Sequence, residues 1–351
     1  MYTVVIANGR PAAPPCGETA ARTEQKGSES MEHTYNPKAQ SILSEIKKAV
    51  VGKDDIAAKI LMALLAQGHV LLDDIPGVGK TTLAMAFSKA LSLDYHRMQF
   101  TPDVMPSDIT GFTIYNKQLG DFEYKPGAAV CNLFLADEIN RTSSKTQSAL
   151  LEVMEEGHIT VDGVTREIPK PFIVIATENP VGSAGTQILP ESQLDRFLIC
   201  LSMGYPDVES TITIMERRHD SNPLDEVIPQ ASREEILQMQ RETQLVTVHK
   251  AIYEYVAQLT EATRNHAMIT LGMSPRGALA HIRMAKAMAY LYGRDFVVPD
   301  DVQETFFDVG AHRLVLGSKA RVGGVTAKTL LQEILNDTPA PQITESLLDQ
   351  Q

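Results

Sequence analysis

The chain has 351 residues and a formal charge of −12, which arises from 44 acidic and 32 basic residues. Apolar residues make up 43% and charged residues 22%, which is ordinary globular usage and excludes bulk disorder. The acidic balance disfavours nucleic acid as the main partner, and the absence of an apolar run near the roughly 20 residues that cross a bilayer argues against membrane insertion.

The first 33 residues are rich in Pro, Gly, Ala, Ser and Thr without a helical period, which predicts a disordered tail over 1–33. Ordered sequence begins near Met31, so Met31 is an alternative to Met1 as the natural translation start. The apolar stretch TVVIA is too short for a signal peptide. The cysteines, which are widely spaced and form no CxxC pair, are Cys16, Cys131 and Cys200. Reduced thiols and no export signal predict a cytoplasmic protein.

From Ala39 onward, helical patterns alternate with short apolar runs. Near-continuous hydrophobicity is typical of parallel strands that are buried on both faces. The five runs are HVLL (69–72), YHRMQF (95–100), NLFLA (132–136), FIVIAT (172–177) and FLICLSM (197–203). Helices predicted over 81–91 and 144–156 provide the crossovers, the second between an N-cap at Ser143 or Ser144 and a stop at Gly157. This alternation predicts a doubly wound α/β layer.

The pattern of apolar residues changes after about residue 158. ITVDGVTREI (159–168) alternates around Asp162-Gly163, which predicts an antiparallel hairpin. After Pro206 the strand signal ends and helices follow, one of them opened by Ser274-Pro275. The predicted organisation is therefore a core at 34–205, a linker at 206–230, a helical domain at 231–337 and a flexible tail at 338–351.

The segment DDIPGVGKTT (73–82) lies between the first apolar run and a helix. In a phosphate-binding loop, backbone N–H groups and a helix N-terminus face the phosphates, and a lysine reaches the outer ones. Asp74 stands where the strict pattern has glycine, but Asp tolerates left-handed backbone. The alternative is an ordinary Gly-Pro turn. The predicted ATP-binding residues are Asp74, Ile75, Pro76, Gly77, Val78, Gly79, Lys80, Thr81 and Thr82, with Thr81 also a ligand for Mg²⁺.

Two later strands end in residues suited to hydrolysis. NLFLADE (132–138) ends in two carboxylates, of which Asp137 can hold the Mg²⁺ shell and Glu138 can orient and activate the attacking water. FIVIATENP (172–180) ends at Asn179, whose neutral amide can hold that water and the γ-phosphate. The alternatives are a polar turn after the first strand and a proline turn after the second.

These segments together resemble the AAA+ ATPases, and four motifs resemble the MoxR branch of that family. The motifs are FTPDVMPSDITG (100–111), ADEINRTSSKTQSALLEVMEE (136–156), LPESQLDRF (189–197) and GMSPRGAL (272–279). The resemblance covers about residues 35–335. It implies an α/β fold, with an αβα P-loop core around a parallel five-stranded sheet and a C-terminal all-helical lid.

The resemblance also implies roles for particular residues. Asp137 and Glu138 match the Walker B pair, and Asn179 matches sensor 1. Val51 and Gly52, in VVGKDD, match the motif on the adenine side of the nucleotide. Residues 112–126 match the helix-2 insertion that faces the pore of a ring, and 159–168 match the pre-sensor hairpin. The chain departs from the family at GAAVCN (127–132) and at Glu178, where Gln is common.

Two arginines complete the set that the resemblance implies. Arg276 matches sensor 2, and a γ-phosphate partner would explain a cation that otherwise opposes the dipole of its helix. Arg196 matches the arginine finger that one subunit donates to the ATP of its neighbour. The alternatives are a solvated or salt-bridged Arg276 and an ion pair of Arg196 with Asp195 or Asp137. Arg141 is a second candidate for the finger.

The expected function is Mg²⁺-dependent ATP hydrolysis by a homo-oligomeric ring, a hexamer in the resembled family. Such rings remodel or mature a protein client in the manner of chaperones, often with a partner that carries a von Willebrand factor A domain. One alternative is an ATP-dependent assembly switch with slow hydrolysis, and another is a chelatase-type ATPase subunit. A nucleic-acid motor is disfavoured by the acidic charge and by the lack of a basic or aromatic module.

Overall fold

A computed structural model of the chain describes residues 35–73, 75, 77–178, 189–220 and 222–342, apart from the side chains of 218–220. Several sequence predictions fall outside these residues: the tail at 1–33 with Cys16 and Met31, the loop residues Asp74 and Pro76, Asn179, and residues 343–351 of the C-terminal tail.

The elements follow one another in three groups along the chain. The first group is α1 (Pro37–Ala49), α2 (Asp54–Leu65), β1 (Val70–Asp73), α3 (Lys80–Ala90), β2 (Tyr95–Gln99), α4 (Pro106–Thr110), β3 (Phe112–Asn116) and β4 (Asp121–Lys125). The second is β5 (Leu133–Asp137), α5 (Ser144–Glu156), β6 (His158–Val161), β7 (Val164–Glu167), β8 (Ile173–Glu178), α6 (Glu191–Leu194) and β9 (Ile199–Leu201). The third is α7 (Val208–Asp220), α8 (Arg233–Leu245), α9 (Lys250–Asn265), β10 (Ile269–Leu271), α10 (Pro275–Leu291), α11 (Pro299–Gly310), β11 (Val315–Leu316), α12 (Ser318–Val322) and α13 (Ala327–Asp337).

Five strands form one sheet in the order β2-β5-β8-β1-β9, and every neighbouring pair is parallel. The prediction of a parallel five-stranded sheet is therefore confirmed. All five strands run in the same direction, so their carboxyl ends lie along one edge of the sheet. Loops at that edge are the usual ligand-binding position of an open α/β sheet.

Both faces of the sheet are buried, and this explains the continuous apolar runs in the sequence. Leu72 and Leu135 pack into a core with the helices α1, α2 and α3, while their neighbours Leu71 and Phe134 pack on the other face. Side chains alternate between faces with a period of two, so an apolar residue is needed at every position. The first of these cores also contains residues of the C-terminal helices, such as Met284.

Local signals in the sequence set several element boundaries. The Ser143 hydroxyl accepts a hydrogen bond from the Thr146 N–H at the start of α5, and Gly157 ends that helix in left-handed backbone with φ of 66°. Strands β6 and β7 pair antiparallel around Asp162 and Gly163, whose φ angles of 52° and 75° suit a tight hairpin turn. Residues 112–126 contain a second antiparallel hairpin, formed by β3 and β4.

The C-terminal part of the chain is a helical lid. Its helix α10 begins at Pro275, where the Ser274 hydroxyl accepts a hydrogen bond from the Gly277 N–H. A short antiparallel ribbon of β10 and β11 accompanies the helices. The segment predicted as a linker, 206–230, contains helix α7 and a 3-10 turn at 223–226. Within the described ranges, no helix combines the length and the apolar composition needed to cross a membrane.

A buried arginine joins the lid to the edge of the sheet. Arg313 is only 2% exposed, and its Nε donates to Asp195 Oδ1 at 2.8 Å. Its terminal nitrogens donate to the carbonyl oxygens of Phe197 at 2.6 Å and Leu198 at 3.2 Å. These bonds satisfy backbone carbonyl groups just before β9. Their donor, Arg313, comes from the lid.

The variant Arg313→Met should lower the free energy of unfolding by roughly 3 kcal/mol, because it leaves buried carbonyl groups and the Asp195 carboxylate without their donor. Urea unfolding followed by circular dichroism measures this change. Arg241→Met is the matched control: Arg241 is exposed on α8, so its loss should be nearly neutral. Equal unfolding midpoints for the two variants would contradict the assigned role of Arg313.

Candidate active site

The phosphate loop connects β1 to α3 at the carboxyl edge of the sheet. Gly77 and Gly79 have φ angles of +85° and +97°, a backbone that side chains other than glycine rarely adopt. Lys80 begins α3 and is buried. Of the other predicted loop residues, those that the structure describes are half-buried beside it: Ile75, Val78, Thr81 and Thr82. The N–H groups of the first turn of α3 and the Lys80 ammonium therefore come from one short segment, as phosphate binding requires.

The two Walker B candidates lie at the same edge, at the end of β5. Asp137 accepts a hydrogen bond on Oδ1 from the Thr177 hydroxyl at 2.7 Å, and the N–H of Glu138 donates to the same hydroxyl oxygen at 2.8 Å. Glu138 has left-handed backbone, with φ of 59°. Thr177 on β8 thus fixes both carboxylate residues, and the turn sends their side chains in different directions.

Each of these carboxylates also pairs with an arginine. Arg97 on β2 donates to Asp137 Oδ2 at 2.7 Å, and this bond raises the pKa of the Arg97 guanidinium. Arg141 donates to Glu138 Oε2 at 2.8 Å. Arg141, the second candidate for the finger, therefore contacts the Glu138 of its own chain.

Glu178 lies at the end of β8, directly opposite Asp73 at the end of β1. Burial, together with the nearby charge of Asp73, raises the pKa of Glu178 to about 7, and the Lys80 ammonium partly offsets the rise. The ends of β1 and β8 therefore bring a carboxyl group of raised pKa to the phosphate loop.

A cavity of about 300 Å³ adjoins the phosphate loop, and its walls are largely apolar. Its lining includes Val50, Val51, Gly79, Thr82, Ile214 and Met215. Gly52 has φ of 71°, and a Cβ at this position would collide with the side chain of Ser210 on α7. Helix α7 thus packs directly on the predicted adenine-side motif. A larger cavity of about 1300 Å³ lies between the lid helices and the end of α2, and its lining includes Arg276 but no residue of the phosphate loop.

The structure places Arg196 and Arg276 at the opposite, amino edge of the sheet. The Leu198 N–H donates to the His69 carbonyl just before β9 and β1 begin, and His69 Nε2 lies 2.9 Å from the Met154 carbonyl near the end of α5. Arg196 immediately precedes this point. The four residues of β1, roughly 13 Å of strand, separate it from the phosphate loop.

Both arginines bind the same acidic side chain. Arg196 Nη1 lies 3.3 Å from Glu155 Oε2, and Arg276 Nη2 contacts Glu155 Oε1. The sequence-based alternatives for Arg196 were ion pairs with Asp195 or Asp137. Among the described residues, Asp195 pairs instead with Arg313, and Asp137 lies at the carboxyl edge, where it pairs with Arg97.

Sequence reasoning missed the residues that support the site from a distance. Thr177 could have been found, because it is a hydroxyl in an otherwise apolar strand. Arg97 and Glu155 carried no usable signal, because charged residues on a strand or a helix ordinarily indicate a solvated face. The contributions of Ile214 and Met215 were hidden in a segment read as a linker.

The donor set at the carboxyl edge fits Mg²⁺ with a nucleotide. In the parts of the chain that the structure describes, no three His, Cys, Asp or Glu side chains converge into a metal cage. Mg²⁺ bound with a nucleotide does not need one, because a carboxylate, waters and phosphate oxygens complete its shell. The Asp137 carboxylate retains acceptor capacity beyond its two hydrogen bonds.

Comparisons with known proteins agree with this arrangement. The family model for "ATPase family associated with various cellular activities (AAA)" matches residues 69–199, and the model for "AAA lid domain" matches 261–334. Protein YeaC of Bacillus subtilis is 46% identical over 306 residues, which are 87% of this chain and 96% of that protein. A solved structure from Cytophaga hutchinsonii superposes with a TM-score of 0.82 at 37% identity, covering 87% of this chain and 95% of the other.

A further relative carries a functional name. Chaperone MoxR1 of Mycobacterium tuberculosis is 38% identical over 308 residues, which are 85% of this chain and 81% of that protein. The α/β core and the helical lid thus each match a family model. The chain belongs to the MoxR family of AAA+ ATPases.

Proposed function

We propose that the protein hydrolyses ATP with Mg²⁺. The observation that carries this proposal is the alignment of three strand ends at one edge of the sheet. The phosphate loop follows β1, Asp137 ends β5 and is followed by Glu138, and Glu178 ends β8. A nucleotide in the adjoining cavity would have its phosphates on the N-terminus of α3. The side chains needed for binding and for water activation then surround the outer phosphate.

Each residue has a distinct task in the proposed reaction. Lys80 binds the outer phosphates, and Thr81 and Asp137 would hold Mg²⁺, which neutralises the phosphate charge that develops during transfer. Glu138 orients the attacking water and accepts its proton. Asn179, outside the described residues, is proposed to hold the same water. Arg141 occupies one carboxylate oxygen of Glu138, so the water would bind the other oxygen or replace that arginine.

We further propose that the active site is completed by a neighbouring subunit in a ring, a hexamer in this family. Arg196 and Arg276 lie at the amino edge of the sheet, too far from the Lys80 of the same chain to contact its nucleotide. Both are partly exposed, with 34% and 44% of their side chains accessible. This exposure supports the proposal that they bind the γ-phosphate of the next subunit. Arg141 is tied to its own Glu138, which favours Arg196 as the finger.

The proposed client is a protein, remodelled in the cytoplasm in a chaperone-like manner. This step is carried over from Chaperone MoxR1 and rests on family membership. The hairpin of β3 and β4 supports it, because several large apolar side chains are exposed there, namely Phe112, Tyr115, Leu119 and Phe122. Apolar groups that project into solvent from one hairpin are typical of a protein-contacting surface. A von Willebrand factor A domain protein is the proposed partner class.

An assembly switch with slow hydrolysis is the second candidate, and one observation favours it. Both hydrolytic carboxylates are bound by arginines of the same chain, Asp137 by Arg97 and Glu138 by Arg141. Hydrolysis would then wait until those pairs open. Steady-state turnover at saturating ATP separates the candidates: a switch performs one slow turnover per assembly, whereas a remodelling ATPase turns over continuously.

Lys80→Ala should abolish ATP binding, because it removes the cation that reaches the outer phosphates. Glu138→Gln should bind ATP normally and lower kcat by about 10²–10⁴-fold, because the amide cannot accept a proton. Equilibrium binding of a fluorescent ATP analogue and phosphate release measure the two effects. Lys145→Ala, at an exposed lysine of α5, is the control. Normal turnover by Glu138→Gln would refute its role as base.

Arg196→Ala should retain ATP binding and lose about 10³-fold or more in kcat, because the finger stabilises charge only in the transition state. Mixing this variant with Lys80→Ala should restore part of the activity, since a Lys80→Ala subunit donates an intact finger to its neighbour. Phosphate release across a series of mixing ratios measures the rescue. No rescue at any ratio would refute a finger that acts between subunits.

Glu178→Gln should stabilise the fold at alkaline pH. In the wild type, the raised pKa of Glu178 favours the protonated form, so the folded state loses stability as pH rises from about 4.5 through about 7. The amide has no such loss, and the gain above pH 8 should be on the order of 1–3 kcal/mol. Urea unfolding at pH 5 and pH 8 tests this. A gain of equal size at both pH values would contradict it.

A further inference from the structure

Glu155 is the acidic residue that connects the two arginines proposed to act on a neighbouring subunit. It lies at the end of α5, and its two carboxylate oxygens bind different arginines. Oε2 pairs with Arg196 Nη1 at 3.3 Å, and Oε1 pairs with Arg276 Nη2. The contacts bring together three separate elements: α5, the turn before β9, and the first turn of α10 in the lid.

The electrostatics of this cluster require an anion between the arginines. Two guanidinium groups that bind opposite oxygens of one carboxylate lie only a few ångströms apart, and like charges at that separation repel. Arg276 also lies in the first turn of α10, where the helix dipole disfavours a cation. Glu155 offsets both effects. Without it, the two side chains would separate and sample other rotamers.

A second set of contacts fixes the backbones from which the arginines extend. The Ser274 hydroxyl donates to Asp195 Oδ2 at 2.8 Å, and Arg313 binds the other oxygen of Asp195 at 2.8 Å. Asp195 precedes Arg196, and Ser274 lies two residues before Arg276. The Asp195 junction thus holds the main chains together, which leaves Glu155 to determine where the two guanidinium groups point.

The arginines keep the capacity to bind phosphate while they contact Glu155. A guanidinium group has five N–H donors in a planar fork, and each arginine contacts Glu155 through one terminal nitrogen. The three side chains are 34–44% exposed, so this cluster lies at the surface. Exposed ion pairs contribute little to folding stability. Positioning explains the convergence better than stability does.

We propose that Glu155 is a positioning residue that holds Arg196 and Arg276 as a pair directed at the nucleotide of the neighbouring subunit. The inference rests on the proposed function, in which both arginines act across a subunit interface. Glu155 belongs to α5 of the α/β domain and, in this proposal, sets the geometry of the two donated cations. It also couples the lid to the finger, because the two arginines come from different domains and share one anion.

The test compares Glu155→Gln with Glu156→Gln, which removes the same charge from the adjacent exposed position. Glu155→Gln should lower kcat by about 10- to 100-fold, because small errors in the placement of a charge-stabilising group are costly. Its affinity for ATP and its melting temperature should match those of Glu156→Gln. Glu155→Asp should recover part of the lost kcat, since it restores the anion with a shorter reach.

Mixing experiments identify the route of the effect. Glu155→Gln retains its own phosphate loop, so adding Lys80→Ala subunits, which have intact arginines, should restore activity. Three outcomes overturn the inference: wild-type kcat in Glu155→Gln, a lowered melting temperature that accounts for the loss, or a loss that Lys80→Ala fails to restore although it restores Arg196→Ala. If Arg196→Ala itself is not restored, the action across subunits fails, and the positioning role fails with it.

Discussion

The register of three parallel strands is the constraint on which the active site depends. Pairing of β1 with β8 sets Asp73 opposite Glu178, and pairing of β5 with β8 allows Thr177 to bind both Asp137 and the Glu138 backbone. A shift of one residue would exchange the two faces of a strand. It would move Thr177 away from the carboxylates, and it would place apolar side chains of one core into the other. The packing of two apolar cores thus fixes the position of a polar site that neither core contains.

The same sheet explains why, under the proposed function, one chain is insufficient for hydrolysis. Its carboxyl edge holds the groups proposed to bind ATP and to activate water, and its amino edge holds Arg196 and Arg276, which are proposed to stabilise the charge of the transferred phosphoryl group. The four residues of β1 separate the groups at the two edges of the sheet, and a strand is too rigid to bring them together. Under the proposed function, assembly is therefore a chemical requirement: the ring brings the amino edge of one subunit to the carboxyl edge of another. The lid contributes to the amino edge, since Arg276 extends from the lid and Arg313 anchors the lid to that edge.

Local chemistry made much of this predictable. The apolar runs gave the parallel sheet because both faces are buried, and Ser143 and Gly157 gave the bounds of α5 because caps act within a few residues. The contribution of α7 to the cavity depends on its packing against Gly52, a contact between segments about 160 residues apart that leaves no local pattern. The contacts of Glu155 with the two arginines could not be predicted either, because a glutamate at a helix end is ordinarily a solvated residue. Arg276 reaches the amino edge because of the path that the lid takes. No sequence motif encodes that path, so this position could not be predicted.

Under the proposed function, the ion pairs at the two edges of the sheet link ATP binding to hydrolysis. Asp137 pairs with Arg97 and Glu138 with Arg141, so each carboxylate has an arginine as its counter-charge. Mg²⁺ at Asp137 would introduce a like charge beside Arg97, which weakens that pair by repulsion. A γ-phosphate near Arg141 would compete with Glu138 for the guanidinium, and so release the carboxylate to a water. No such exchange is needed at the amino edge. Glu155 can keep its bonds to Arg196 and Arg276, because each arginine has further N–H donors for a phosphate. Under the proposed function, the nucleotide therefore opens the ion pairs of its own subunit, whereas the two arginines of the neighbouring subunit are already held together when it binds.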